Sequence, residues 1–301
     1  MADPRSTRQR IVEKISTKHD SRPKESGLVG GGHARAFFWR SKSAQMTRNI
    51  VDPPTLFEAS LELEWTPVRL VEEMILSLKA KPRFAHYHLE RLAPTYPTDA
   101  NAGDNLASKL RPTHVLRSSG PADYAADLKN QRRTIFLSDT TLYYRADTPP
   151  YPLWLDALKP ELDELIEFIF DEVENIGIRG VNLRFVNAFS NKHEVFGVGD
   201  LNLQIQIHEQ VETEDIALTY VQRQRNCSAI VRIASGSVVK GAPVENLNAL
   251  LDVEITAQDT TPLNEQSTLK DWVSEAHDLA RDVFFSLFTK KMNDNLVKKR
   301  S

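Results

Sequence analysis

Ile178-Arg-Gly-Val-Asn-Leu-Arg-Phe-Val-Asn187 decides how the rest of the chain is read. Side chains alternate along a strand, so Val181, Leu183 and Phe185 share one face, with Asn187 at the end of that row. Asn182, Arg184 and Val186 share the other. A strand with one apolar and one polar face belongs in a sheet that is covered on one side. A long amphipathic stretch precedes it. Leu155, Leu158, Leu162, Leu165, Ile166, Ile169, Phe170 and Val173 recur at helical spacing, with acidic residues opposite, and Pro160 is expected to kink that helix. After it, Leu201–Gln210, Ile216–Arg225, Ala229–Ser235 and Ala249–Ala257 alternate or are rich in β-branched residues and read as antiparallel strands, with Gly236 and Gly241 at turns. A last helix over 269–288 gathers Trp272, Val273, Ala276, Leu279, Ala280, Val283, Phe284 and Leu287 on one face.

Upstream, Leu56 to Trp65 alternates, with Phe57, Ala59, Leu61, Leu63 and Trp65 apolar. Thr66 caps the next helix in this reading, Pro67 takes its first position, and the helix ends near Lys81. Residues 93–131 are rich in Pro, Asn, Gly, Ser and Asp and read as a long surface loop with a short helix near Leu106. Residues 133–145 form a hairpin turning at Ser138-Asp139. The expected fold is α+β, a largely antiparallel sheet with two or three long amphipathic helices packed on one face. The order of elements hints at two related halves, although no internal sequence repeat is visible.

The 301 residues suffice for one large domain or two ordinary ones. No apolar run approaches the roughly 20 residues of a membrane helix, and the basic N-terminus lacks the apolar core of a secretory signal. Cys227 is the only cysteine, so neither an internal disulfide nor a cysteine-rich zinc site is available. A cytoplasmic location is expected. Charge is uneven: residues 1–50 carry +7, and the remainder −10. Residues 1–48 therefore read as a basic, disordered tail, 49–295 as the body, and 296–301 as a short basic C-terminal tail. The N-terminal tail is either a solvated appendage or an arm for nucleic acid.

Arg184 is the leading site candidate, because a guanidinium on a sheet face seeks a carboxylate, a phosphate or a ligand. Asp252 and Glu254 share one face of a later strand and could serve it. An internal ion pair is the preferred reading of that trio. Asp252 and Glu254 also have the spacing of a weak magnesium site. His277 lies at the edge of the last helix's apolar stripe and reads as a boundary histidine hydrogen-bonded to the sheet, with a catalytic role as the alternative. His86 and His88 have no visible third ligand, and His193-Glu194 lacks the second histidine of a helical zinc motif. Gly27 to His33 lacks the strand and Gly-Lys-Ser/Thr of a phosphate loop. No metal or cofactor is expected.

Several of these stretches, in order, resemble a sporadically distributed prokaryotic family of unassigned function. Its proline-rich strand entry is Pro53-Pro-Thr-Leu-Phe-Glu-Ala59 here, its Tyr-x-x-Trp is Tyr151-Pro-Leu-Trp154, and its Gly-Leu-Arg-Tyr-x-Asn strand is Asn182-Leu-Arg-Phe-Val-Asn187. An acidic strand, Leu251-Asp-Val-Glu254, and a helix with His277 and Phe284/Phe285 complete it. Asn182 replaces the glycine and Phe185 the tyrosine. The resemblance implies a single-unit body over about 50–295 and no reaction. Its sporadic distribution resembles that of mobile-element or phage-defence cargo. The expected function is a non-enzymatic binding or accessory/regulatory protein whose partner is another protein, with Arg184 and Asn187 as binding residues. The alternative is an enzyme using Arg184, Asp252, Glu254 and His277.

Overall fold

The computed structural model describes residues 49–51, 54–92, 113–118, 132–147, 154–203, 216–224, 226–239, 246–258 and 262–299. All lie in the compact unit Met46–Ser301. The expectations for residues 1–48, for a helix near Leu106 and for Gly241 fall outside them.

The fold is α+β. Eleven strands are described: β1 (Asn49–Val51), β2 (Leu56–Thr66), β3 (His88–Leu92), β4 (Thr113–Arg117), β5 (Arg132–Leu137), β6 (Thr141–Asp147), β7 (Gly177–Phe189), β8 (Ala217–Gln224), β9 (Cys227–Ser235), β10 (Ala249–Ala257) and β11 (Val297–Lys299). The helices are α1 (Val71–Ala80), α2 (Lys159–Glu172), α3 (Gln266–Ser286) and α4 (Lys290–Leu296). Nine strands form one antiparallel sheet in the order β3-β4-β5-β6-β2-β7-β10-β9-β8, and β1 pairs with β11.

The chain crosses to a sheet edge and steps back twice, with one strand fewer the second time. From β2 it crosses through α1 to the edge strand β3, then steps back through β4, β5 and β6 to β2. From β7 it crosses to β8, then steps back through β9 and β10 to β7. A helix follows each return, α2 after β6 and α3 after β10. The halves join along β2 and β7, which pair antiparallel.

Period-two alternation sets the core. Leu61 faces Leu183 and Tyr144, Phe185 faces Ala59 and Val253, and Ile255 faces Leu183 and Ala229. All are buried, and with Trp272, Val273, Ala276 and Ala280 of α3 and Leu162, Leu165, Ile166 and Ile169 of α2 they form one apolar cluster. α3 lies against β7, β9 and β10.

Several expectations are corrected. The helix after β2 starts at Val71, not Pro67. The Thr66–Pro67 bond is cis, and the Val71 N–H donates to the Asp139 carboxylate at 3.2 Å, so a residue distant in sequence supplies the cap. A bulge between Leu56 and Glu58 puts Leu56, rather than Phe57, in line with Asn187 on the apolar row. The stretch 93–131 contains a strand, β4, which pairs with β3 and β5. A π-helical turn, Trp154–Leu158, runs directly into α2, so the helix changes type just ahead of Pro160, which sits in the first turn of α2. Leu201 to Leu203 form no strand, and the rest of that segment to Gln210 lies outside the described residues. At the C-terminus β11 extends ordered structure to Lys299, past the boundary expected at 295.

Gly236 has a role that only the fold reveals. A Cβ there would lie 1.7 Å from the Leu247 carbonyl oxygen, and its N–H donates to the Asn248 carbonyl at 2.9 Å.

Candidate functional site

The polar face of the sheet is a lattice of ion pairs. Arg184 on β7 binds Asp252 on β10 through two hydrogen bonds, Nε to Oδ1 at 2.8 Å and Nη2 to Oδ2 at 3.0 Å. Arg232 on β9 reaches the same carboxylate at 3.1 Å and Glu254 at 2.6 Å. Asn182 donates to Glu254 at 2.8 Å. On the other side Arg184 lies 4.0 Å from Glu58, which Arg145 of β6 holds at 3.1 Å. The register explains the contacts. Asp252 faces Arg232 directly and Arg184 diagonally, within reach of a long side chain.

Burial within the lattice is unequal. The Asp252 side chain is 7% exposed, whereas those of Arg184, Arg232 and Arg145 are 38–40% exposed. The carboxylate is sunk in the sheet, and the guanidinium edges remain in solvent. Hydrogen bonding to Asp252 pushes the Arg184 guanidinium further from deprotonation. Burial, with Glu64 and Glu254 nearby, pushes the Glu62 carboxyl up. Along the face, Arg117, Arg132, Arg145, Arg184, Arg223 and Arg232 alternate with Glu58, Glu62, Glu64, Glu90, Asp147, Asp252 and Glu254. The two signs balance to within one charge.

Asn187 and His277 stand apart from this lattice. Asn187 points to the apolar row, as its parity requires, and accepts from the Thr55 hydroxyl at 3.1 Å. His277 on α3 is buried and stacks on Trp154 with ring centres 4.0 Å apart and planes 5° from parallel. Phe185 meets the same imidazole edge-on at 5.9 Å. The expected bond from His277 to the sheet is replaced by this stack, and Asp278 lies 3.5 Å from Nδ1. Burial pushes the His277 imidazole down, against the pull of Asp278. Thr55, Leu56, Phe185, Asn187, Val253, His277, Ala280, Arg281 and Phe284 line a pocket here. A single site holding Arg184, Asp252, Glu254 and His277 together is not formed, because the first three share the polar face, whereas His277 on α3 packs against Phe185 on the other.

The other histidines have local roles. His193 accepts from the Ser190 N–H at 2.9 Å through Nδ1, and Nε2 lies 3.3 Å from the Pro54 carbonyl. Burial pushes its imidazole down. Among the described residues no group of three or more His, Cys, Asp or Glu is placed to hold a metal ion. No described helix is long and apolar enough to cross a membrane.

Two groupings escaped sequence reading. Arg232 gave no signal until the β9–β10 register was known. The second grouping lies in the other half of the sheet, under α2. There Glu161 accepts from Arg133 Nε at 3.0 Å and from the Tyr144 hydroxyl, and Arg83 reaches Glu164 at 2.7 Å. Arg133 stands at an apolar parity in β5, a mismatch that could have marked it. No protein-family profile, curated protein or solved structure is significantly similar to this chain.

Proposed function

We propose that this is a non-enzymatic binding protein, accessory to or regulating another protein, which docks on the polar face of the sheet around Arg184, Arg232 and Asp252. The observation that supports this is the unequal burial of the ion pairs. The carboxylates are fixed in the sheet, and the arginines present about two-fifths of each side chain to solvent. Such arginines are already oriented, so little side-chain entropy is lost when a partner arrives. Balanced charge favours a polypeptide of mixed charge over nucleic acid, which selects an excess of positive charge. In this reading the long helices share the opposite, apolar face and leave the polar one free. A mobile-element or phage-defence setting is compatible with such a role.

The enzymatic alternative draws less support, because Arg184, Asp252 and Glu254 are engaged with protein partners. The test uses the full chain as bait, with wild type beside Arg184→Glu and Arg232→Glu. A stoichiometric partner retained by wild type and lost from both folded variants is expected. Equal recovery on all three would refute docking at this face. Nucleic acid remains a proposal for residues 1–48 alone. A labelled single strand should shift at low salt and be released by salt and by deletion of those residues.

A further inference from the structure

We propose that the pocket between α3 and the central strands is a binding site for a small uncharged molecule bearing a hydroxyl group, seated between the Asn187 carboxamide and the His277 imidazole. This site lies behind the sheet from the proposed docking face and does not depend on it. Asn187 is 5% exposed and His277 is 8% exposed, so both are more than nine-tenths buried. Asn187 Oδ1 is taken up by Thr55, and among the described residues Nδ2 has no partner. His277 Nδ1 is beside Asp278, and Nε2 has no partner there either. Neither free atom is sealed from solvent-sized space. A donor and an acceptor that open into one mostly apolar pocket offer a ligand two fixed hydrogen-bonding contacts.

The chemistry of that group follows from the pair. Asp278 favours the proton on Nδ1, so the neutral ring presents a lone pair at Nε2, and Asn187 presents an N–H. One donor and one acceptor suit a hydroxyl. A carboxylate would meet the Nε2 lone pair, and an ammonium would meet the Asn187 N–H. Arg281 at the pocket does not change the balance, because Asp278 holds it at 3.2 Å and Asp282 at 3.3 Å. The remaining walls, Leu56, Phe185, Val253, Ala280 and Phe284, suit an apolar body. The enclosed space is about 20 Å³, room for one water-sized group. The hydroxyl therefore enters, and the body lies toward the open mouth.

Phenol and toluene are the probes, since they differ by a hydroxyl against a methyl. Each is titrated into the full chain, followed by the His277 and Trp154 ring resonances. Phenol should shift both sets saturably, and toluene at equal concentration should not. Asn187→Leu should weaken phenol binding by roughly tenfold, as expected when a hydrogen bond is lost and its partner is left unpaired. Should that variant fail to fold, Ala280→Leu fills the pocket without removing either polar group, and should abolish the phenol shifts. Unmoved resonances would mean that the pocket holds only water, and equal shifts by toluene would mean an unselective apolar cleft. Either result overturns the proposal.

Discussion

Glu161 and Asp252 make the same kind of bond on the two sides of one sheet, and removing their charges should cost different amounts. Glu161→Gln and Asp252→Asn each keep the side chain's shape and remove its charge. Glu161 is 12% exposed and its partner Arg133 is 6% exposed, so water has little access to either side of the pair. Breaking a buried pair costs about 3–5 kcal/mol. The new amide oxygen still accepts one hydrogen bond, which brings the expected loss to about 3 kcal/mol. Asp252 is as deeply sunk, at 7%, but its arginines are 39% and 40% exposed. Water can solvate what the carboxylate leaves, and solvent-facing pairs contribute about 0–1 kcal/mol each, so about 1 kcal/mol is expected. Urea unfolding of the full chain, followed by tryptophan fluorescence, measures both at constant m. The melting temperatures should separate by about 2–4 °C per kcal/mol of difference. Salt at 1 M, where the screening length is about 3 Å, should shrink the Asp252 cost and leave the Glu161 cost. Losses equal to within about 0.5 kcal/mol, the usual error of such comparisons, or in the reverse order, would refute the argument from exposure.

Acid should weaken the fold through His193 and His277. Burial lowers both folded pKa values below the unfolded value of about 6.5, so their contribution is complete above that pH and falls as pH drops through it toward the folded values. Unfolding free energy at pH 8, 6.5 and 5.5 should decline, and the decline should flatten in the His193→Gln, His277→Gln double variant. Gly236→Ala should lose about 3 kcal/mol, the upper end for overpacking, because the new methyl meets backbone and not a movable side chain; a wild-type urea midpoint would contradict that contact. Trp154→Ala should remove the ring over His277 and admit water, raising the His277 pKa toward its ordinary value in an NMR titration; an unchanged value would mean that other groups bury it.

The central strands could be read from sequence because their signal is local. Alternation alone locates Ala249–Ala257 to the residue and assigns the two faces of β7. It fails where a distant residue intervenes. The cap of α1 comes from Asp139, and the bulge that brings Leu56 into line with Asn187 exists only against β7. β4 is hidden in a polar stretch because its five residues give too few periods to count. At the site, Arg184 and Asp252 were legible as a pair since parity put both on a polar face. Arg232 and Trp154 were not, because their partners are fixed by strand register and helix packing. His277 reads as a residue at the edge of the apolar stripe, whereas it is buried, and its ring partner comes from the π-helical turn ahead of α2.

The pairing of β1 with β11 brings the two ends of the body side by side, with Asn49 opposite Lys299, Ile50 opposite Lys298 and Val51 opposite Val297. A pull applied through those ends meets the outermost pair first. Antiparallel strands drawn apart from the same end open like a zipper, one pair at a time, whereas shearing would load every bond at once. This clip should therefore yield at low force, and only then would tension reach β2 and α4. Tethers on the two ends would act as a latch that releases in steps before the large sheet feels any load.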